Sequence, residues 1–223
     1  MQKVIFILTG RPGENYPAFG QRVFNISEKL VQECDPKKLK VTLTERKPPF
    51  LSVIPFRRSK VAVISMYGGS QEMHDMVGES DGFTGGYQVE EAIPRAYEKH
   101  WEDRTPTPGI CLLTLFHRKP GLEQDLFIRR WHEGHTPLSL ELHPLWNYNR
   151  NVVRDVTVKD SPWFDGIVEE QFRTAQDLLN PLKFFGPPLK VAAHMIEVFR
   201  DTRSFIDMKR IETYLATEYH IRS

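Results

Sequence analysis

The stretch from Arg130 to Trp146 reads RWHEGHTPLSLELHPLW and carries three of the chain's eight histidines and two of its four tryptophans. Histidines this dense raise two chemistries: metal ligation and proton transfer. Metal ligation is the weaker reading. His132 and His135 are three residues apart, so both could lie near one helical face, but the spacing is not the i, i+4 of HExxH, Glu133 projects to another side, and His143 lies past a helix break. No metal site is expected. Proton transfer fits His135 better. Phe127, Trp131, His135, Leu138 and Leu142 fall on one helical face, and that face is apolar. Desolvation keeps an imidazole neutral, and a neutral imidazole beside an apolar pocket is a competent general base. His132, flanked by Arg129 and Glu133, is expected in solvent, and His143 to mark the end of the helix.

The next strand offers supporting groups. Tyr148, Arg150 and Val152 alternate onto one face, with Asn149 and Asn151 on the other. Tyr148 could orient a carbonyl or donate a proton, and Arg150 could hold an oxyanion or carboxylate. In the following strand one of Glu169 and Glu170 must face the pocket, and register alone decides which. Glu169 is taken as the substrate-binding carboxylate, and Trp131 and Trp146 as aromatic walls, with Trp163 a further aromatic candidate.

These residues sit in the second of two similar halves. VIFILTGRPGENYPAFGQRV lies on ICLLTLFHRKPGLEQDLFIRRW at an offset of about 108 residues, pairing Pro12 with Pro120, Gly13 with Gly121, Phe19 with Phe127 and Arg22 with Arg130. The ends match at an offset of about 122, with Val89 on Ile211 and Tyr97 on Tyr219. The second half is therefore longer, and the Pro-rich stretch Asn180 to Lys190 is the natural place for the insertion. WEDRTPTPG, Trp101 to Gly109, reads as the linker. The halves are placed at residues 1–104 and 109–223.

Each half reads β-α-β-β-α-β, the order of the ferredoxin-like unit. Expected strands are Lys3–Thr9, Lys40–Glu45, Lys60–Tyr67 and Tyr87–Tyr97 in the first, and Gly109–Arg118, Tyr148–Val158, Asp165–Phe172 and Ile211–His220 in the second. Expected helices are Tyr16–Cys34, a short one at Gln71–Val77, Glu123–Leu142 with a kink at Gly134 and Pro137, Thr174–Phe185, and Val191–Phe199. GICLLTLFHR is apolar on both alternating faces, so both must be covered. Helices cover one; the other half's sheet would cover the second and enclose a pocket between them.

KPGLEQDLFIRRWHEGHTPL followed by HPLWNYNRNVV resembles the EthD family, at Lys119, Pro120, Gly121, Phe127, Trp131, His135, Pro137, Leu138, Tyr148 and Asn151, with Asp165 and Gly166 opening the next strand. The first half lacks the histidine, because Ser27 stands in its place. The resemblance implies a dimeric α+β barrel: two ferredoxin-like units paired face to face, within one chain or between two as a homodimer. It also implies a small-molecule pocket, with His135 as catalytic residue and Asn151 as a substrate-binding residue. The wider superfamily spans cyclases, dehydratases, decarboxylases, isomerases, cofactor-free monooxygenases and haem enzymes, so fold alone names no reaction.

The reading adopted is an α+β enzyme of lyase or isomerase type, with no metal or organic cofactor, acting by acid–base chemistry on a small apolar, aromatic or carbonyl-bearing compound. His135, Tyr148 and Arg150 would be catalytic. A monooxygenase of the same fold, or a non-catalytic ligand-binding accessory of an oxygenase system, are the alternatives. Formal net charge of +1 leaves no cationic surplus for nucleic acid. No stretch is long and apolar enough to span a membrane, so neither nucleic acid nor membrane is expected as partner. Cys34 and Cys111 form no zinc or redox motif and read as free thiols, and the apolar run Val4–Leu8 is too short for a signal-peptide core. Both point to the cytoplasm.

Overall fold

The computed structural model describes residues 3–68 and 71–223. The chain runs β1 (Lys3–Thr9), α1 (Tyr16–Cys34), β2 (Lys38–Leu43), β3 (Val61–Tyr67), α2 (Gln71–Gly78) and β4 (Phe83–Arg95). It continues through β5 (Ile110–Phe116), α3 (Gln124–Arg129), a π-helical turn (Arg130–His135), α4 (Thr136–Leu142), β6 (Leu145–Val156) and β7 (Gly166–Phe172). It ends with α5 (Ala175–Leu179), α6 (Pro181–Phe184), α7 (Pro188–Phe205) and β8 (Glu212–Arg222).

The eight strands close into one antiparallel barrel within the single chain, in the order β1-β3-β2-β8-β5-β7-β6-β4. The first four strands are neighbours as β4-β1-β3-β2 and the last four as β8-β5-β7-β6, joined at two seams, β2 with β8 and β4 with β6. Closure leaves no sheet edge unpaired. It also explains β5, in which all seven residues are buried: Ile110, Leu112 and Phe116 point outward into a helix-covered cluster, while Cys111, Leu113 and Leu115 point into the barrel. Cys111 and Cys34 are free thiols.

The two Pro-Gly turns before the long helices have the same geometry. Gly13 and Gly121 sit at φ +75° and +77°, the left-handed region glycine enters without strain. In the first half Asn15 caps α1, its side chain accepting from the Ala18 amide. In the second half the expected kink is a π turn. Pro137 has no N–H to give Glu133, and its ring crowds that carbonyl. The chain widens instead, and the Thr136 amide reaches back five residues to the Trp131 carbonyl. The predicted helix Thr174–Phe185 is split into α5 and α6, because Asn180 precedes a proline and is held extended, where it caps α6. The extra length of the second half builds α7, a helix on which Phe205 alone is fully buried.

The barrel interior does not enclose the expected pocket. One part is filled by an apolar cluster that includes Ile5, Ile7, Val63, Tyr87, Leu113, Ile167 and Tyr214. The other part is filled by paired charges. Lys40 bridges Glu169 and Glu218 at 2.8 and 2.9 Å, and Lys3 donates to Glu91 at 2.7 Å and to Asn151 at 2.8 Å. Burial opposes the charge on Lys40, but the two carboxylates outweigh it and hold its pKa well above the ordinary lysine value. These pairs span the seams, since Lys40 is on β2, Glu169 on β7 and Glu218 on β8.

Candidate active site

A largely apolar cavity that could admit a small molecule lies outside the barrel, between the outer face of the second half's strands and its helices. Its volume is about 280 Å³. Leu112, Thr114, Phe116, Tyr148, Val168 and Glu170 form the floor; Trp131, His135, Ser139 and His143 come from the helix containing the π turn; α6 and α7 close one side. The remaining wall is Val53, Ile54 and Pro55, from the loop between β2 and β3 of the other half. That loop is tied down across the halves: the Arg57 amide donates to the Thr213 carbonyl at 2.8 Å, and the Thr213 hydroxyl donates to the Pro55 carbonyl at 2.9 Å.

His135 closes the π turn. Its Nδ1 donates to Asp201 Oδ2 at 2.6 Å, because the carboxylate can only accept. This fixes the tautomer and leaves Nε2 as acceptor for the Ser139 hydroxyl at 3.1 Å. Ser139 lies one helical turn on and Asp201 comes from α7, so two elements hold one ring. Phe205 packs against the imidazole, with ring centroids 5.2 Å apart.

Glu170 is the other group of note. It stands opposite Tyr148 on β6 and Leu112 on β5, on the outward face, and burial alone pushes its carboxyl up to about 7. A carboxyl at that value can give or take a proton near neutrality. Tyr148 is buried beside it on the same outward face. Burial raises the Tyr148 pKa above the ordinary phenol value, so it stays a proton donor. His143 lines the cavity with its ring stacked on Phe184, centroids 3.9 Å apart, and its Nδ1 donates to the Phe184 carbonyl at 2.9 Å. Burial brings its pKa down to about 4, so it is neutral.

Of the residues expected at the site, His135, Tyr148 and Trp131 meet at the cavity. The others do not. Arg150 shares the outward face with Tyr148 but turns under the helix, donating to the Thr136 hydroxyl at 2.6 Å, and it does not line the cavity. Trp146 belongs to an aromatic cluster with Tyr97 and Trp101, with the Arg173 guanidinium 5.0 Å over its ring. Asn151 and Glu169 point into the barrel, where Asn151 accepts from Lys3 and Glu169 from Lys40 and Thr42. Register thus assigns the pocket carboxylate to Glu170. His132 is not solvated: its Nε2 is buried, and burial with the nearby Arg150 charge lowers its pKa to about 4. Trp163 is 45% exposed and walls nothing. Ser27, at the position matching His135, is buried and donates to the Val23 carbonyl. Asp201 and Ser139 were not foreseen. Among the described residues no group of three His, Cys, Asp or Glu side chains is placed to hold a metal ion.

Residues 119–209 match the model of the EthD domain, a span that carries His135, Tyr148, Glu170 and Asp201. The fold is shared with solved structures at low identity. An anthrone oxidase-like protein aligns with a TM-score of 0.59 at 12% identity, over 99% of this chain and 91% of the other. A protein named as a candidate monooxygenase, from Fusobacterium nucleatum subsp. nucleatum, aligns with a TM-score of 0.52 at 9% identity, over 99% and 92%. No curated protein sequence matches the chain.

Proposed function

We propose that this chain, with an EthD domain over residues 119–209, is an acid–base enzyme that removes a proton from a small apolar, aromatic or carbonyl-bearing compound. One observation carries the reading: an imidazole on the wall of an apolar cavity, with Asp201 on Nδ1 and only the Ser139 hydroxyl on the accepting Nε2. Substrate in the cavity displaces the Ser139 hydroxyl and gives its proton to Nε2. The imidazolium that forms is stabilised by Asp201, and the substrate keeps the electron pair as an enolate or phenolate. Ser139 is 1% exposed within α4, so its role is to hold Nε2, not to attack. Glu170, with a pKa near 7, and the Tyr148 hydroxyl are the groups that can return a proton or hydrogen-bond the developing oxyanion.

Dehydration, isomerisation and aldol-type cyclisation all begin with this step, and in a decarboxylation the same groups would protonate the carbanion left when carbon dioxide departs. So does reaction of the carbanion with molecular oxygen, and the oxidase and monooxygenase names of the structural neighbours favour that as the second reading. We further read the strand quartets as two ferredoxin-like units, residues 1–104 and 109–223. The first is diverged at Ser27 and contributes a cavity wall, leaving one working site per chain.

The test is turnover of an anthrone or a related hydroxyaryl ketone by the wild type and by His135→Ala. Loss of product with the thermal midpoint retained supports the reading. Unchanged turnover overturns it, and ligand retention without product in the wild type supports a binding role instead. Running the assay with and without oxygen separates lyase or isomerase outcomes from oxygenation.

A further inference from the structure

The mouth of the cavity is the most apolar surface of the described residues. Val53, Met195, Phe199 and Met208 both line the cavity and remain at least 36% exposed. Around them Phe50 and Leu51 are 85% and 86% exposed at the tip of the loop between β2 and β3, and Leu189 and Ile196 stand 100% and 51% exposed on α7. With Ala192, Ala193 and Phe199 they give α7 an outward stripe at helical spacing. Among the described residues, the large exposed apolar side chains off this face are Ile93, Trp163 and Leu182, and Leu182 lies on α6 beside it. A patch of this kind marks a binding surface.

Charge identifies what binds. The loop from Thr44 to Lys60 carries Arg46, Lys47, Arg57, Arg58 and Lys60 against the single acidic residue Glu45. The segment from 180 to 212 carries Lys183, Lys190, Arg200, Arg203, Lys209 and Arg210 against Glu197, Asp201, Asp207 and Glu212, with Asp201 turned inward to His135. In a chain of net charge +1, the two segments that supply the apolar face thus each carry a net positive charge. A second copy docked symmetrically through this face would oppose like charges. An anionic bilayer accepts both features, exposed apolar side chains with a basic surround.

We propose that this face docks on an anionic lipid surface, with the cavity mouth toward the bilayer, so that an apolar ligand passes from membrane to site without crossing water. No described helix is long and apolar enough to cross a membrane, so the contact is interfacial. The apolar residues are separated by more than a hundred positions in sequence, and only the loop's crossing to the second half brings them together. For that reason no membrane-binding motif is visible along the chain. The docking does not depend on the reaction proposed above, and its readout is independent of turnover.

The experiment is sedimentation of the full chain with vesicles of phosphatidylcholine, alone or with about one-third phosphatidylglycerol. Each basic residue near such a surface contributes about fivefold in partitioning, so at least a tenfold preference for the anionic vesicles is expected, lost at high salt. The Leu51→Ser/Ile196→Ser and Arg58→Glu/Lys190→Glu pairs lie outside the cavity lining. Each should lower partitioning at least tenfold with the circular dichroism spectrum unchanged. Equal binding to both vesicles, or none to either, overturns the proposal. So does concentration-dependent dimerisation abolished by the same substitutions without vesicle binding, which would assign the face to a second copy.

Discussion

Replacing Glu170 with glutamine should change the pH dependence of stability by an amount that follows from its burial. Burial pushes the carboxyl up to about 7 in the folded chain, against an ordinary glutamate value of 4.5. Below 4.5 both states are protonated and the group contributes nothing. Between 4.5 and 7 the unfolded chain ionises while the folded one cannot, which favours unfolding. Above 7 the cost is complete, and at about 1.36 kcal/mol per pH unit it comes to about 3 kcal/mol. Glutamine cannot ionise, so the variant escapes it. Burying the amide has a cost of its own, equal at both pH values, and it cancels in the comparison. Urea denaturation of both proteins at about pH 4 and about pH 8 should therefore give a variant-minus-wild-type difference that rises by about 3 kcal/mol from acid to alkaline conditions. A difference that does not move with pH would refute the assignment of Glu170 as a desolvated, unpaired carboxyl. Movement in the opposite direction would mean that a cation faces it.

Asp201→Asn should lower turnover at least tenfold with little change in thermal midpoint, because the ring loses its tautomer and its imidazolium loses its counter-charge. Retained turnover would make Asp201 a surface partner only. Lys40→Met leaves Glu169 and Glu218 facing each other without a cation, and chemical denaturation near neutral pH should show a loss of about 3–5 kcal/mol. Gly166→Ala places a Cβ 2.4 Å from Phe116 Cζ and 2.8 Å from Trp131 Cη2. It should destabilise by about 1–3 kcal/mol and shift the tryptophan fluorescence, since Trp131 is the wall that must move.

The barrel was legible because its strands announce themselves. β5 is apolar on both faces, and that demand for two covers leads to a closed sheet. The matching Pro-Gly turns were also legible, and Gly13 and Gly121 share their left-handed geometry. His135 was legible because an apolar helical face and a family pattern converge on it. The same two-sided burial hid the rest of the site. In a strand buried on both faces, alternation separates two sets of residues but does not say which set meets the cavity. Asn151 and Glu169 were read toward the pocket when they point into the barrel, and the expected pocket was placed inside for the same reason. Arg150 was on the correct face, but its length carries it under the helix. Asp201 was missed because α7 keeps an apolar outer face exposed, which blurs the helical pattern that would have aligned Asp201 with the core.

The central claim is that His135 takes a proton from substrate, and solvent exchange reads that step before any product forms. Anthrone would be incubated without oxygen in heavy water with the wild type and with His135→Gln, and loss of the acidic C–H signal followed by proton NMR. Enzyme-dependent exchange should fall about 10²–10⁴-fold in the variant, with the fold intact. Exchange at the wild-type rate in His135→Gln would contradict the claim.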